Sequence, residues 1–189
     1  ERLYANVNGA FGAAARDTLE AVRRLRRLRA TPTEPDGGAV YPNGNFGRGL
    51  REIARLIKAN VGLAATTIDL GGWDTHFVQS QVIDSRIRAL ADGLEAFRRD
   101  LGSEHDRVTV MVMTEFGRRL RENSSFGTDH GAGGVMFFQG AGVHAAGVGG
   151  TIRSGWPDLS DSNLDSVGDV PATIDYRTAL RPYLDWHSP

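Results

Sequence analysis

Apolar residues recur at helical spacing in four stretches of the chain. In the first stretch they occupy every third position, namely Leu19, Val22, Leu25 and Leu28. This spacing is typical of an amphipathic helix. Similar patterns predict helices over residues 47–59, 78–101 and 174–186. Prolines, glycines and asparagines over residues 31–45 predict a surface loop after the first helix.

The second and third helices are each predicted to bury one apolar side. The residues on these sides are Leu50, Ile53, Leu56 and Ile57 in the second helix, and Val82, Ile87, Leu90, Leu94 and Phe97 in the third. The third helix is the longest, so we expect it to cross over a sheet.

Three apolar runs predict strands, over residues 61–70, 108–113 and 135–138. The middle run is rich in β-branched residues and lacks strict alternation, which is typical of a strand buried on both faces of a parallel sheet. Because helical and extended patterns alternate along the chain, the predicted fold class is α/β, with a mostly parallel sheet flanked by helices. The 189 residues are expected to form a single domain over residues 1–189.

Composition and charge exclude several partners. The formal net charge is -1, which gives no electrostatic footprint for nucleic acid. The arginines between Arg23 and Arg29 are interpreted as the solvated face of the first helix. No apolar run approaches the length of a membrane span. Since the chain has no cysteine, any bound metal must use oxygen and imidazole ligands.

Three short clusters combine acidic or imidazole groups with glycine beside the predicted strands. They are Gly-Gly-Trp-Asp-Thr-His at 71–76, Thr-Glu-Phe-Gly-Arg at 114–118 and Gly-Thr-Asp-His-Gly at 127–131. Open α/β sheets place their ligands at the ends of strands. The three clusters therefore predict one common site.

Asp74 and His76 are two residues apart. In an extended segment their side chains would point to the same side and reach one metal ion. The alternative is that Asp74 caps the following helix while His76 packs beneath it. The spacing alone leaves both interpretations open.

Glu115 follows a predicted buried strand, so its charge is expected to need compensation. An ion pair with Arg118 would make it structural, whereas a divalent cation would make it part of a site. In the third cluster, flanking glycines permit a tight loop that presents Asp129 and His130, and imidazole is a common metal ligand.

The three clusters, in this order and spacing, resemble the signature blocks of the DUF1501 proteins. Val-Pro-Ala-Thr-Ile-Asp-Tyr-Arg at 170–177 is similar to the usual ending of that family. The resemblance places the chain with the alkaline phosphatase and sulfatase superfamily and implies a partial alkaline-phosphatase-like layered fold. It also implies that the chain, which begins at Glu1, is the carboxyl-terminal half of a larger sulfatase-like domain.

By this resemblance, the site holds divalent metal, either zinc, manganese or calcium, and transfers phosphoryl or sulfuryl groups. The implied metal ligands are Asp74, His76, Glu115, Asp129 and His130. Arg118 would stabilise negative charge in the transition state. Phe116 stands where the better-known relatives carry a histidine ligand, so one imidazole of their two-metal site is missing here.

The resulting expectation is that the parent protein hydrolyses phosphate or sulfate esters. The chain alone is expected to be inactive, because neither Thr75 nor Thr128 matches the family position of the nucleophile. One alternative is an envelope protein with a degraded site that binds anionic glycans, and another is a structural domain without metal. Family members often carry a twin-arginine export signal, so an exported, periplasmic parent is expected, although this chain shows no such signal.

Overall fold

The computed structural model describes residues 7–30, 34–156, 158–165 and 167–187, without the side chains of residues 27–30 and 186–187. The chain divides into two compact units. The first unit comprises Glu1–Asp69 and Asp92–Gly102, and the second comprises Leu70–Ala91 and Ser103–Pro189.

The helices are α1 (Gly9–Ala30), α2 (Asn45–Lys58), α3 (Ile83–Leu101), α4 (Ala141–Ala145) and α5 (Tyr176–His187). The strands are β1 (Thr109–Val112), β2 (Gly117–Arg118), β3 (His130–Gly131) and β4 (Phe137–Gly140). Short 3-10 turns lie at Asp36–Gly38, Gln79–Gln81, Gly102–Arg107 and Asp161–Asn163. The four predicted helices are therefore present, with ends shifted by a few residues.

The prediction of a mostly parallel sheet flanked by helices is wrong. The described strands form two small antiparallel pairs, in which β1 pairs with β4 and β2 pairs with β3. A parallel pair needs a crossover connection, which is usually a helix. No helix lies in the described segment between β1 and β4, and the chain returns beside β1 in the opposite direction. The partial alkaline-phosphatase-like layered fold is not formed by these strands.

The predicted strand over residues 61–70 is also wrong. This segment has no strand partner among the described residues, and the side chains of residues 62–67 are exposed. A strand needs the backbone of a neighbour to bond its N–H and C=O groups. In β1 every residue is half-buried rather than buried on both faces, because β4 is its only partner in the described part of the chain.

In the first unit, α2 meets the second half of α3 at Gly93. A Cβ atom on Gly93 would lie 2.5 Å from Phe46 Cε1 and 3.1 Å from Leu50 Cδ1, so only glycine allows this approach. Leu50 and Phe97 are buried as predicted. The remaining predicted positions of α2 are half-buried, whereas Ile87 of α3, which belongs to the second unit, is exposed.

The buried carboxylate of Asp100 holds the loop that precedes α2. Asp100 is 1% exposed and accepts hydrogen bonds from the Asp36 backbone N–H (2.8 Å), the Tyr41 hydroxyl (2.8 Å) and Lys58 Nζ (2.6 Å). Burial opposes ionisation of Asp100, but these hydrogen bonds outweigh it and lower its pKa. Asp100 therefore ties the loop before α2 to the ends of α2 and α3.

The first helix forms as predicted, but its apolar stripe is not buried by the described residues. Val22 and Leu25 are exposed and Leu19 is half-buried. Arg23, Arg24 and Arg26 are exposed, as expected of a solvated face. The side chains of the last part of this pattern, including Leu28 and Arg29, lie outside the described residues.

The second unit is built on the β1–β4 pair. The Phe138 ring of β4 stacks on the buried Tyr183 ring of α5 with centroids 4.4 Å apart, and α5 also packs against α4. The Gly142 N–H donates to Thr109 Oγ1 at 3.0 Å. The described segment between β1 and β4 carries the β2–β3 pair and one part of the candidate site. None of the helices in the described ranges has the length and apolar content that a membrane crossing requires.

Candidate metal centre

Two loops and one short strand pair of the second unit position the candidate site. Pairing of β2 with β3 places Arg118 opposite His130. The loop before β3 is joined to the loop around His76 by backbone hydrogen bonds from Thr128 N to Thr75 O (3.3 Å) and from Val78 N to Ser125 O (3.0 Å). These bonds bring together two predicted clusters that are more than 50 residues apart in sequence.

One carboxylate and two imidazoles converge at the centre of the site. Asp74 Oδ1 lies 2.9 Å from His76 Nε2 and 2.8 Å from His130 Nε2. One ligand atom from each residue lies within 4.8 Å of the others. The exposed fractions are 60% for the Asp74 side chain, 35% for His76 and 47% for His130. The cluster is thus accessible from solvent. We name these three residues the Asp-His-His cluster.

The second nitrogen of His76 is held by a second carboxylate. Asp129 Oδ1 lies 3.1 Å from His76 Nδ1 and accepts a hydrogen bond from Asn123 Nδ2 at 2.9 Å. Asp129 therefore contacts the ring on the side away from Asp74. This arrangement fixes the orientation of the His76 ring and leaves Nε2 directed at the cluster.

Asn123 supports the site although the sequence reasoning did not single it out. Its Oδ1 accepts the backbone N–H groups of Ser125 (2.9 Å) and Gly127 (3.1 Å), and its Nδ2 also donates to the His76 carbonyl (3.1 Å). An Asn side chain that bonds the backbone two residues ahead is a common turn former. The Asn-Ser-Ser-Phe-Gly run at 123–127 therefore indicates a turn, but it does not indicate that Asn123 contacts His76.

A glycine permits the close approach of the two loops. A Cβ atom on Gly127 would lie 2.3 Å from the His76 carbonyl carbon and 2.6 Å from the Thr75 oxygen. No side chain fits at such distances. Gly127 is buried against the loop that carries Asp74 and His76, so this position fixes the spacing between Asp129 and the imidazole that it holds.

Phe116 packs on His130. The two rings are stacked with centroids 4.0 Å apart and an interplanar angle of 9°. The Arg118 guanidinium lies over the Phe116 ring, with Cζ 4.9 Å from the ring centroid. A phenyl ring cannot bind a metal through nitrogen, but here it restricts the rotation of a histidine that belongs to the Asp-His-His cluster.

Arg118 connects the two loops rather than projecting freely into the site. Its guanidinium donates to the carbonyl oxygens of Trp73 (2.5 Å) and Thr128, and Nη2 lies 3.7 Å from Asp74 Oδ1. The proposed transition-state role of Arg118 stays a prediction. Its observed contacts are those of a residue that positions the loop carrying Asp74.

Of the five predicted ligands, Asp129 contacts His76 from behind the cluster, and Glu115 has no contact with the cluster among the described residues. Glu115 is exposed, contrary to the expectation of a buried charge, and in the described part of the chain it forms no ion pair with Arg118. Neither proposed form of compensation is needed, because water can solvate the carboxylate. The Asp74 cap is not formed either: the next 3-10 turn has Val78 at its N-cap and no side-chain cap bond.

Comparison with known proteins gives one family. A family model described as "Protein of unknown function (DUF1501)" matches residues 11–183, which include every residue of the site. The chain belongs to the DUF1501 family. No curated protein and no solved structure matches the chain. The resemblance of the three signature blocks to DUF1501 is therefore confirmed, while the family description assigns no activity.

Local contacts keep both carboxylates of this DUF1501 site ionised. The hydrogen bond with His130, together with the nearby His76 and Arg118, lowers the pKa of Asp74. The hydrogen bonds from Asn123 and His76 lower the pKa of Asp129. Both groups are thus available as anionic acceptors or ligands throughout the neutral and mildly acidic range.

The donor set of the DUF1501 chain, one carboxylate and two imidazoles, could hold a divalent transition metal. Zinc accepts imidazole nitrogen and carboxylate oxygen, and three protein ligands leave a position open for water or substrate. Across a tetrahedral zinc ion, neighbouring donors lie about 3.3 Å apart. Asp74 Oδ1 lies 2.9 and 2.8 Å from the two imidazole nitrogens, and the three donor atoms lie within 4.8 Å of one another. Metal-binding histidines usually have their other nitrogen held by a carboxylate or carbonyl. His76 and Asp129 show this arrangement.

Proposed function

We propose that Asp74, His76 and His130 bind a divalent metal ion, and that the full-length protein uses it to hydrolyse phosphate or sulfate esters. The observation that carries the proposal is the convergence of two imidazole Nε2 atoms on Asp74 Oδ1, with His76 held from behind by Asp129. Two imidazole ligands favour zinc and similar ions over calcium, which prefers oxygen ligands.

A bound divalent ion would polarise a phosphoryl or sulfuryl oxygen and lower the pKa of an attacking hydroxyl. The protein side chains supply binding and orientation. Asp129 fixes the His76 ring, Phe116 restricts the His130 ring, and Arg118 fixes the loop that carries Asp74. The exposed position of the cluster leaves room for an anionic ester to approach from solvent.

The wider assignment is also a proposal. We place the chain in the alkaline phosphatase and sulfatase-like superfamily on the order and spacing of its signature blocks, and propose that the full-length protein is exported. Support comes from the Asp-His-His cluster. The two antiparallel strand pairs give no support, since they do not form that superfamily's parallel sheet.

The two threonines near the site are already engaged. Thr75 is buried and its Oγ1 donates to the Trp73 carbonyl at 3.4 Å, while Thr128 Oγ1 donates to Gln79 Oε1 at 2.7 Å. Their hydroxyl groups are therefore poorly placed to attack an ester. This supports the proposal that the 189-residue chain binds metal but does not turn over esters by itself.

The same observation favours a second candidate function. An inactive member of the family would retain the metal and use it to bind sulfated or phosphorylated glycans. The two functions differ in turnover by the full-length protein: hydrolysis that disappears in a His130→Ala variant supports the enzyme, whereas metal-dependent glycan binding without hydrolysis supports the binding protein.

Metal binding is tested first on the 189-residue chain. Isothermal titration with zinc, manganese and calcium is carried out on the wild type, His76→Ala, His130→Ala and the control His144→Ala, which replaces an exposed histidine outside the cluster. We expect one zinc ion per chain in the wild type and the control, and none in the other two variants. Equal zinc binding by all four proteins, or by none, would refute the proposed centre.

A further inference from the structure

Arg86, on α3, carries a guanidinium without a partner in the described part of the chain. Its Nε atom is buried and makes no hydrogen bond to the described residues. By contrast, Arg118 donates to two carbonyl oxygens, and Arg119 lies 3.4 Å from Asp169 Oδ1. A donor that is shielded from water normally has a partner, so a ligand is the natural candidate for this one.

The guanidinium lies against the loop that leads into the Asp-His-His cluster. A Cβ atom on Gly72 would lie 2.6 Å from Arg86 Nε, 2.7 Å from Cζ and 3.0 Å from Nη2. Gly72 has a φ of +88°, which also disfavours other residues. The Arg86 guanidinium thus occupies the space that a side chain at position 72 would fill.

The contact of Arg86 with Gly72 sets an upper limit on the distance between the guanidinium and the Asp-His-His cluster. Gly72 precedes Asp74 by two residues, and two residues of extended chain span at most about 7 Å. Adding the contact with Gly72 places the guanidinium carbon within about 11 Å of the Asp74 Cα atom. Both residues belong to the second unit.

We infer that Arg86 binds a phosphate or sulfate group of the ligand that the Asp-His-His cluster holds. The inference rests on the proposed function. A guanidinium is planar, remains charged and offers paired donors that match tetrahedral oxyanions. Arg118 cannot serve in this way without releasing the Trp73 and Thr128 carbonyl oxygens. Arg86 therefore recognises the anion, and Arg118 positions the loop.

The test measures anion binding and metal binding separately on the 189-residue chain. Inorganic phosphate, sulfate and phenyl phosphate are titrated calorimetrically into the zinc-loaded wild type, Arg86→Gln, Arg86→Lys and Arg88→Gln. Arg88 is the matched control, since it is an exposed arginine on the same helix. The NMR signal of the Arg86 Nε–H group in the wild type gives a readout that does not depend on a variant.

We expect phosphate affinity to fall about tenfold or more in Arg86→Gln, as for loss of a hydrogen bond to a charged group. It should fall less in Arg86→Lys and change less than about twofold in Arg88→Gln. The Arg86 Nε–H signal should shift in a saturable manner. Zinc affinity without anion should remain that of the wild type. Tighter binding of phenyl phosphate than of inorganic phosphate would identify an ester as the ligand. Equal binding of the two would identify the free anion as the ligand.

The inference is overturned if phosphate binds Arg86→Gln as tightly as the wild type, if the Arg86 Nε–H signal does not move at saturation, or if no anion binds. If the chain takes up no zinc, the same titrations are made without metal. Phosphate binding that depends on Arg86 would then uphold the anion site while refuting the proposed metal function.

Discussion

Replacing Asp129 by asparagine tests whether the carboxylate behind His76 prepares the imidazole for metal binding. Asp129 Oδ1 contacts His76 Nδ1 at 3.1 Å and Asn123 Nδ2 at 2.9 Å. An asparagine oxygen can accept both contacts, so Asp129→Asn keeps the geometry and removes the negative charge. Asp129→Ala removes the charge and both contacts.

The expected magnitude follows from the position of Asp129 outside the ligand set. Loss of such a partner weakens metal binding by about 10- to 100-fold. The Asp129 side chain is 46% exposed, so water can replace part of its interaction with His76. We therefore expect about a tenfold loss in Asp129→Asn and a loss nearer 100-fold in Asp129→Ala.

Zinc affinity is measured by competition with a chromophoric chelator at pH 7. The control is Asp92→Asn, which removes an exposed carboxylate of α3 outside the site. Thermal unfolding is followed by circular dichroism to show that each variant folds. If both Asp129 variants bind zinc as tightly as the wild type while His130→Ala does not bind it, the assigned role of Asp129 is wrong.

Three further predictions concern residues that support the two units. Phe116→Ala should weaken zinc binding by about two- to tenfold through loss of ring stacking, and Phe116→Tyr should restore it in the same competition assay. Gly127→Ala should abolish zinc binding, because its Cβ would lie 2.3 Å from the His76 carbonyl carbon; unchanged affinity would show that the loops can separate without cost. Asp100→Ala should lower the free energy of unfolding, measured in urea, by about 3 kcal/mol. This value is at the low end for breaking a buried ion pair, because the Lys58 side chain is 21% exposed and water can solvate its charge. The pKa of Asp100 is lowered on folding, so its contribution to the free energy of unfolding is present above the unfolded-state pKa and is lost as the pH falls through the folded-state pKa. In urea titrations between pH 2 and 6, the free energy of unfolding should therefore decrease less with falling pH in Asp100→Ala than in the wild type.

The candidate site was partly readable from the sequence. The clusters at 71–76 and 127–131 combined glycines with acidic and imidazole groups, and the structure brings together Asp74, His76, Asp129 and His130. The sequence predicts a role for Glu115 because this residue follows a run that is typical of a buried strand. That expectation depended on a two-sided sheet, which does not form, and Glu115 is exposed.

The supporting contacts could not be predicted in this way. The stacking of Phe116 on His130 and the hydrogen bonds of Asn123 join residues on different segments. Their geometry depends on how the loops return, and the turn signals at Asn123 and Gly127 fix only the local path. The buried Nε atom of Arg86 also has no signal in the sequence, since arginines on an amphipathic helix are usually solvated.

The sequence by itself determined the helices and the family. The helical spacing of apolar residues set α2, α3 and α5, because helix hydrogen bonds and neighbouring side chains are local in sequence. Only the tertiary structure decided the direction of strand pairing and the convergence of Asp74, His76 and His130. It also decided that residues 61–70 have no strand partner within the described part of the chain. These features join residues up to 56 positions apart, and a local pattern does not specify which distant segment provides the hydrogen bonds that a strand or an imidazole requires.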